Sequence, residues 1–214
     1  MANKHLQPSP ALMLKVESAF LAHGYSRLTM EMLAGACSFS RRALYFYFRS
    51  KSDAFRAAIR FRNELALTTG FEAGRKHWSR GRDALDILAA IIDIRYGDIC
   101  RVANASPHVV ELNAEAFTRC IDIVRDVALY FEAELAKFIV ELQGGGVVKL
   151  RPGVKAGRLA RALADGARGV NQRLPAVPSR ELATRYREMC RYVLYGGAEM
   201  PVTTKRKRLR RGRG

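Results

Sequence analysis

The sequence predicts an all-α fold, and this prediction rests on two observations. Apolar residues recur at steps of three and four along most of the 214 residues, whereas the alternation typical of strands is scarce. Residues that favour helix starts and stops flank these apolar runs. Apolar residues make up 49% of the chain, an ordinary share for a globular protein. We expect about nine helices, arranged as a small N-terminal domain and a larger helical body.

The N-terminal helices are predicted from an apolar stripe and from capping residues. The first helix has its apolar face around Val16 and Phe20, and Gly24 is placed to end it as a C′ glycine. Thr29 and Ser40 are good N-caps for two short helices that follow. A capping box formed by residues 50 and 53 starts a longer helix over 51–74.

The body is predicted to consist mainly of longer helices. The expected ranges are 83–104, a short helix that Ser106 and Pro107 open toward Ala116, then 117–142, 153–173 and a last helix through Leu182 and Val193. The helix over 117–142 is apolar over so wide an arc that we expect it to be buried centrally.

Two short helices near the N-terminus predict a helix-turn-helix motif. Residues 29–36 form one helix, residues 37–39 form a turn, and Ser40 caps a second helix over about 41–46. Two short helices joined by so tight a turn are typical of this motif. Its second helix is the one that enters the DNA major groove, with the first-turn residues leading.

The charge of the chain is concentrated at its two ends. Lys and Arg number 37 and Asp and Glu number 20, which gives a formal net charge of +17. Residues 1–62 carry ten cations and three acids, residues 205–214 carry seven cations and no acid, and the middle is nearly balanced. Such an excess favours a nucleic acid as partner, or less often an anionic membrane. We expect a DNA-binding domain over 1–54, a body over 55–200 and a disordered basic tail over 201–214.

Other features of the composition favour a cytoplasmic protein. The four cysteines are far apart and form no CxxC pair, so neither a disulfide framework nor a zinc site is expected. The first ten residues lack the apolar run of a signal peptide, and the most apolar stretch, 84–94, is too short to span a bilayer. We expect no cofactor, no metal and no membrane partner.

A longer pattern runs through the helix-turn-helix segment. It consists of an aromatic residue, a Gly-Tyr pair, a capping Thr, an Ala, a capping Ser, a Leu-Tyr pair, a Phe and a Ser-Lys pair, here Phe20, Gly24, Tyr25, Thr29, Ala34, Ser40, Leu44, Tyr45, Phe48, Ser50 and Lys51. In this order and spacing the segment resembles the TetR family of bacterial transcriptional regulators. Ser38 replaces a glycine that favours the bend, Phe39 is larger than the usual aliphatic, and Arg42 stands where a small residue is common. The DNA sequence preference therefore cannot be inferred from a relative.

The motif and the resemblance together give candidate DNA contacts. Arginine is the commonest specific partner of guanine, and alanine suits a thymine methyl, so the first turn of the second motif helix is expected to contact base edges. Tyrosine, serine and threonine hydroxyls and a lysine at the next helix start suit phosphates. By resemblance the contacting positions are Thr29, Arg41, Arg42, Ala43, Tyr45, Tyr47 and Lys51, and Ser40 adds a hydroxyl beside them.

Structural alternatives exist for these residues. In the first alternative, Thr29 and Ser40 serve only as helix caps. In the others, Tyr45 packs against the first helix, or Arg41 and its neighbour form a solvated face. The tail either holds DNA without specificity, contacts anionic lipid or has no role. A metal site at His108 and Glu111 is a further alternative. The sequence offers no second pair of ligands to complete such a site.

In the TetR family the body forms the dimer and holds a small-molecule pocket, and the resemblance implies both here. One recognition helix contacts only a few base pairs, so we expect a homodimer on a pseudo-palindromic operator. Candidates for the dimer interface are Leu159, Ala162, Leu163, Gly166, Ala167, Val170, Leu182, Tyr186, Met189 and Val193. Candidates for the pocket are Leu88, Ile91, Ile92, Tyr96, Phe117, Ile121, Val124 and Phe138. The alternative for both sets is packing within one chain.

The sequence supports three functional hypotheses. The leading one is a homodimeric repressor that a small-molecule effector releases from its operator. The second is a chromosome-organising DNA-binding protein without an effector, which a filled body would favour. The third is a helical enzyme with a DNA-binding head. Because the sequence contains no Ser-His-Asp set, phosphate loop or dinucleotide fingerprint, we expect no catalytic residues and no enzyme activity.

Overall fold

A computed structural model describes residues 6–197, and helices form the regular structure of this part of the chain. The α-helices are α1 Pro10–Arg27, α2 Met30–Cys37, α3 Arg41–Leu44, α4 Lys51–Ser79, α5 Ala84–Ile92, α6 Ile99–Asn104, α7 Val109–Arg119, α8 Ile121–Gly144, α9 Ala156–Asn171 and α10 Leu182–Gly197. A π-helical segment, Asp93–Asp98, joins α5 to α6 without a break. Within residues 6–197 there is no β-strand, and the predicted all-α fold is confirmed. The predicted basic tail lies outside the described residues.

The predicted caps form as the sequence indicates. The hydroxyl oxygens of Thr29, Ser40 and Ser50 accept hydrogen bonds from backbone N–H groups three residues on, at 3.2, 3.2 and 3.1 Å. Each cap therefore satisfies one of the N–H groups that a helix start leaves without a partner. Gly24 has φ 74° and ψ 173°, so regular helix stops there before a last turn that ends at Arg27.

Three predicted helix boundaries are wrong. α4 continues past Gly74 to Ser79, because this buried glycine lets α4 lie against Ile91 instead of ending the helix. Pro107 precedes the helix rather than opening it, since α7 begins at Val109. The long helix predicted over 117–142 is interrupted at Cys120, whose φ of −129° and ψ of 16° are not helical.

Two apolar clusters form the core, and α4 contributes to both. The first cluster packs α1, α2 and α3 against the start of α4, where Phe55 is buried, with Leu112 and Ile123 from the body. The second lies in the body and contains the buried faces of α5, α8, α9 and α10. Because α4 runs through both clusters, the boundary expected after residue 54 falls inside a continuous helix, and the domain division stays a prediction.

Candidate nucleic-acid interface

Helix α3, the second helix of the predicted helix-turn-helix motif, is held by apolar side chains that point into the first cluster. Leu44 is fully buried, and Phe48 is buried just beyond the helix end. Behind them, the ring of Phe55 contacts the rings of Phe20 and Tyr25, with centroids 4.9 and 5.1 Å apart. Burying a large apolar side chain contributes about 1.5–3 kcal/mol, so α3 is attached firmly although it has only four helical residues.

The turn between α2 and α3 passes through the left-handed region at Ser38, with φ 61° and ψ 38°. The N–H groups of Ser38 and Phe39 donate to the carbonyls of Gly35 and Ala34, at 3.0 and 2.9 Å. These bonds satisfy the last carbonyls of α2 and set the direction in which α3 departs. A residue with a Cβ is strained in this conformation, which agrees with the glycine expected at this position.

The first turn of α3 presents two arginines to solvent. Arg41 and Arg42 are both exposed, and the next residue, Ala43, is half-buried. The side chain of Arg42 makes no hydrogen bond or ion pair with any described residue. The guanidinium carbon of Arg41 lies 5.8 Å from the ring centroid of Tyr45, which is itself 36% exposed. Tyr45 therefore lies at the surface beside Arg41 rather than in the core.

Tyr47 is more enclosed than its proposed phosphate contact suggests. Its ring stacks on Phe39, with centroids 5.7 Å apart and planes 19° apart, and it is half-buried. The large Phe39 of the turn is thus used to support Tyr47. The sequence shows an unusually large residue at this turn position, but not which ring it contacts.

Lys51 has a structural role in addition to its position at the start of α4. Its ammonium donates to the carbonyls of Tyr25 and Ser26, at 2.8 and 3.4 Å, and lies 4.5 Å from the Tyr25 ring centroid. The guanidinium carbon of Arg119 is also 4.5 Å from that centroid. The ring of Tyr25 is therefore in contact with one cation from α4 and one from α7, which joins the N-terminal domain to the body.

The body contacts the end of α1 through polar groups in α7 and in the residues just before it. The Ser106 hydroxyl donates to the Leu21 carbonyl at 2.6 Å, and the Ser26 N–H donates to the Glu111 carboxylate at 2.6 Å. Hydrogen bonds from Ser26 hold the pKa of the Glu111 carboxyl below its usual value. His108 lies beside it, with Nδ1 3.8 Å from Oε2. In the part of the chain described, no three His, Cys, Asp or Glu residues are placed to hold a metal.

Nine of the ten predicted dimer residues are buried or partly buried within the single chain. Five of them are buried inside the single chain, where they join the body core: Leu159, Leu163, Ala167, Leu182 and Tyr186. Val170, Met189 and Val193 are partly buried against the same core. Gly166 faces Met189, because a Cβ added there would lie 2.6 Å from its sulfur. Only Ala162 is exposed. The structure thus places most of this set at the contact between α9 and α10 of one chain.

Five of the eight predicted pocket residues lie in the body core, and three lie outside it. Leu88, Ile91, Ile92, Tyr96 and Phe138 are brought together in the body core. Phe117 and Ile121 are 57% and 53% exposed, and Val124 is half-buried outside that core. The break at Cys120 turns this face outward, so a shared pocket is not formed by all eight residues. Phe138 also lines a surface groove between α4 and α8.

Sequence comparison identifies the N-terminal segment. Residues 17–58 match the family model described as bacterial regulatory proteins, tetR family. No curated protein sequence matches the chain. None of the described helices has the length and apolar character that a membrane crossing requires.

Solved structures extend the likeness over most of the chain. A TetR transcription regulator from Haloarcula marismortui has a TM-score of 0.65 at 20% identity, covering 88% of this chain and 97% of its own. A putative TetR-family regulator from a Rhodococcus species has 0.64 at 18%, covering 86% and 96%. FadR of Thermus thermophilus, a TetR-family repressor solved with lauroyl-CoA, has 0.56 at 21%, covering 90% and 94%. At these identities the likeness shows a shared fold.

Proposed function

We propose that this chain, which carries the N-terminal domain of the TetR family, is a DNA-binding transcriptional regulator that acts as a homodimeric repressor. The supporting observation is the first turn of α3. Two arginines are exposed there on a helix fixed from behind by Leu44 and Phe48, and Arg42 has no partner among the described residues. An unpaired guanidinium on a rigid support suits the paired acceptors of a guanine edge.

The remaining candidates surround these arginines in the proposed complex. Ala43 contacts a thymine methyl, and the hydroxyls of Thr29, Ser40, Tyr45 and Tyr47 contact phosphates. Lys51 adds positive charge beside them. The phosphate contacts position the domain and the base contacts supply specificity. Because a regulator of this kind meets chromosomal DNA, we place the protein in the cytoplasm.

We propose that the outer faces of α9 and α10 form the dimer. Ala162 of α9 and Tyr192 of α10 are exposed, and Tyr192 retains 76% of its surface, although large aromatic residues are seldom left so open. Substituting Tyr192 by Glu places a charge in the proposed interface. The variant should elute as a monomer at concentrations at which the wild type elutes as a dimer.

We propose that a small-molecule effector releases the protein from its operator. Release of an operator requires that a ligand bind the DNA-free conformation better than the DNA-bound one. FadR of Thermus thermophilus, which has a similar fold, was solved in complex with lauroyl-CoA, and this supports a small-molecule effector here. A DNA-organising protein without an effector remains the second candidate, because Leu88, Ile91 and Ile92 have no accessible surface in a filled core.

A selection experiment tests the proposed function. The full chain is incubated with a library of randomised DNA duplexes, and the bound fraction is amplified and sequenced. We expect enrichment of a pseudo-palindrome with half-sites about one helical turn, roughly 34–36 Å, apart or a multiple of it. Two chains should bind per duplex. Retention of DNA without enrichment of any sequence would reject the specific regulator and favour the organising protein.

A further inference from the structure

Arg95 is a charged side chain at a core position of the body. It follows Ile91 and Ile92 by four and three residues, on the inward side of the helix, and is only 4% exposed. Its Nε atom is buried without a hydrogen-bond partner. Burial lowers the pKa of the guanidinium, but arginine remains protonated in proteins. The body therefore contains a buried positive charge.

The neighbouring acids are bound to other cations. On the π-helical segment, Asp93 and Asp98 both pair with Arg101, at 2.9 and 2.7 Å. Across from the segment, Glu132 of α8 pairs with Arg168 at 2.5 Å. No described carboxylate forms an ion pair with Arg95. A buried charge is ordinarily paired, so this arrangement lacks a counter-ion.

The surroundings of Arg95 suit the anionic end of an amphipathic molecule. Its guanidinium carbon lies 5.0 and 5.6 Å from the ring centroids of Tyr96 and Phe131. A third ring, Phe71, lies 5.8 Å from Phe131. Arg168 is one-third exposed and donates to the Tyr96 hydroxyl at 3.3 Å, so a second cation lies closer to the surface. Aromatic rings and positive charge therefore lie side by side at this place in the body.

We infer that Arg95 is the anchor for the anionic group, carboxylate or phosphate, of an amphipathic organic ligand, with the apolar part of that ligand among the rings of Phe71, Tyr96 and Phe131. The inference rests on the proposed effector-responsive function and names the chemical class of the effector. In the ligand-free chain the guanidinium lies among the aromatic rings. In the ligand-bound chain it forms charge-assisted hydrogen bonds with the anion.

The position of Arg95 connects this site to the DNA-binding domain. α4 approaches the π-helical segment closely at Gly70, where an added Cβ would lie 3.2 Å from the Ile91 carbonyl and 3.8 Å from Cβ of Arg95. The same helix begins at Lys51, beside the recognition helix. A ligand that moves the π-helical segment therefore acts directly on the helix that leads to α3.

The test compares thermal unfolding of the full chain and of R95M. The probes are decanoate, decyl phosphate and 2-naphthoate below micelle-forming concentrations, with methyl decanoate as the neutral control. R75M is the matched control variant, because Arg75 also lies over a ring of α8, 5.1 Å from the Phe138 centroid, but is exposed and paired with Glu141. Decanoate and decyl phosphate distinguish the two head groups.

Three results are expected together. R95M melts at a higher temperature than the wild type without ligand, because the unpaired buried charge is gone. At least one anionic probe stabilises the wild type and R75M, while methyl decanoate does not. That probe binds R95M at least about tenfold more weakly.

The inference is overturned if ligand-free R95M melts below the wild type. It is also overturned if the anionic probes stabilise the wild type and R95M equally, or stabilise neither of these two proteins. DNA binding of the wild type and of R95M is measured in parallel by fluorescence anisotropy. If the wild type does not bind DNA, the proposed function is contradicted, whether or not the probes bind. If the wild type binds DNA but no anionic probe binds in a way that depends on Arg95, only this inference is contradicted.

Discussion

Ser38 offers a direct test of how the helix-turn-helix motif is built. Its φ of 61° and ψ of 38° place a residue with a Cβ in the left-handed region, which costs roughly 1–2 kcal/mol. Ser38→Gly removes this cost. The greater freedom of glycine in the unfolded chain offsets about 0.4–1 kcal/mol of the gain. We expect a net increase of up to about 1.6 kcal/mol in the free energy of unfolding.

The measurement is urea denaturation of the wild type and three variants, followed by circular dichroism. Ser38→Ala keeps the Cβ and should leave stability nearly unchanged, whereas Ser38→Val should lower it because a β-branched residue is a genuine outlier at positive φ. Backbone bonds from residues 38 and 39 to α2 persist in every variant. A glycine variant less stable than the wild type, or a valine variant as stable, would refute the strain assigned to this turn.

Two further predictions concern packing and pH. Gly74→Ala should lower the free energy of unfolding by about 1–3 kcal/mol, because the new Cβ would lie 2.6 Å from two side-chain carbons of buried Ile91. The control Gly35→Ala, where no atom lies within 4 Å, should raise it by up to about 1 kcal/mol; equal effects in chemical denaturation would contradict the close approach of α4 to α5. The pKa of Glu111 is depressed in the folded chain, so its contribution to stability is present above the ordinary carboxyl pKa of about 4.3 and is lost as pH falls through the lower folded value. Glu111→Gln should remove this part of the acid dependence, and unfolding curves of the two proteins that differ equally at every pH would disprove the role of the Ser26 contact.

Local chemistry made the N-terminal domain predictable. The caps at Thr29, Ser40 and Ser50 each depend on a side chain and an N–H three residues away, so the sequence alone contains both partners. The apolar positions that hold α3 likewise follow from helical spacing. The bend at Ser38 is indicated only by the resemblance, because the TetR family usually has a glycine at this position, and the structure gives Ser38 a positive φ.

Long-range packing set the limits of prediction in the body. The helical period shows that Leu163 and Tyr186 are inward, but it does not distinguish the core of one chain from an interface between two. The break at Cys120 carries no glycine or proline signal, so the outward turn of Phe117 was missed. Arg95 had a visible signal, a lone cation at an inward position, but the absence of a counter-ion depends on how residues far apart in sequence pair.

Arg42 provides the most direct test of the central proposal, that α3 contacts base edges. The affinities of the wild type and Arg42→Ala are measured on the selected operator and on a shuffled duplex at the same salt concentration. Arg80→Ala is the control, since Arg80 is exposed at the far end of α4. We expect Arg42→Ala to lose about 1–3 kcal/mol of operator binding and to relax preference at one base position, with little change on shuffled DNA. An equal loss on both duplexes would contradict base contact by α3.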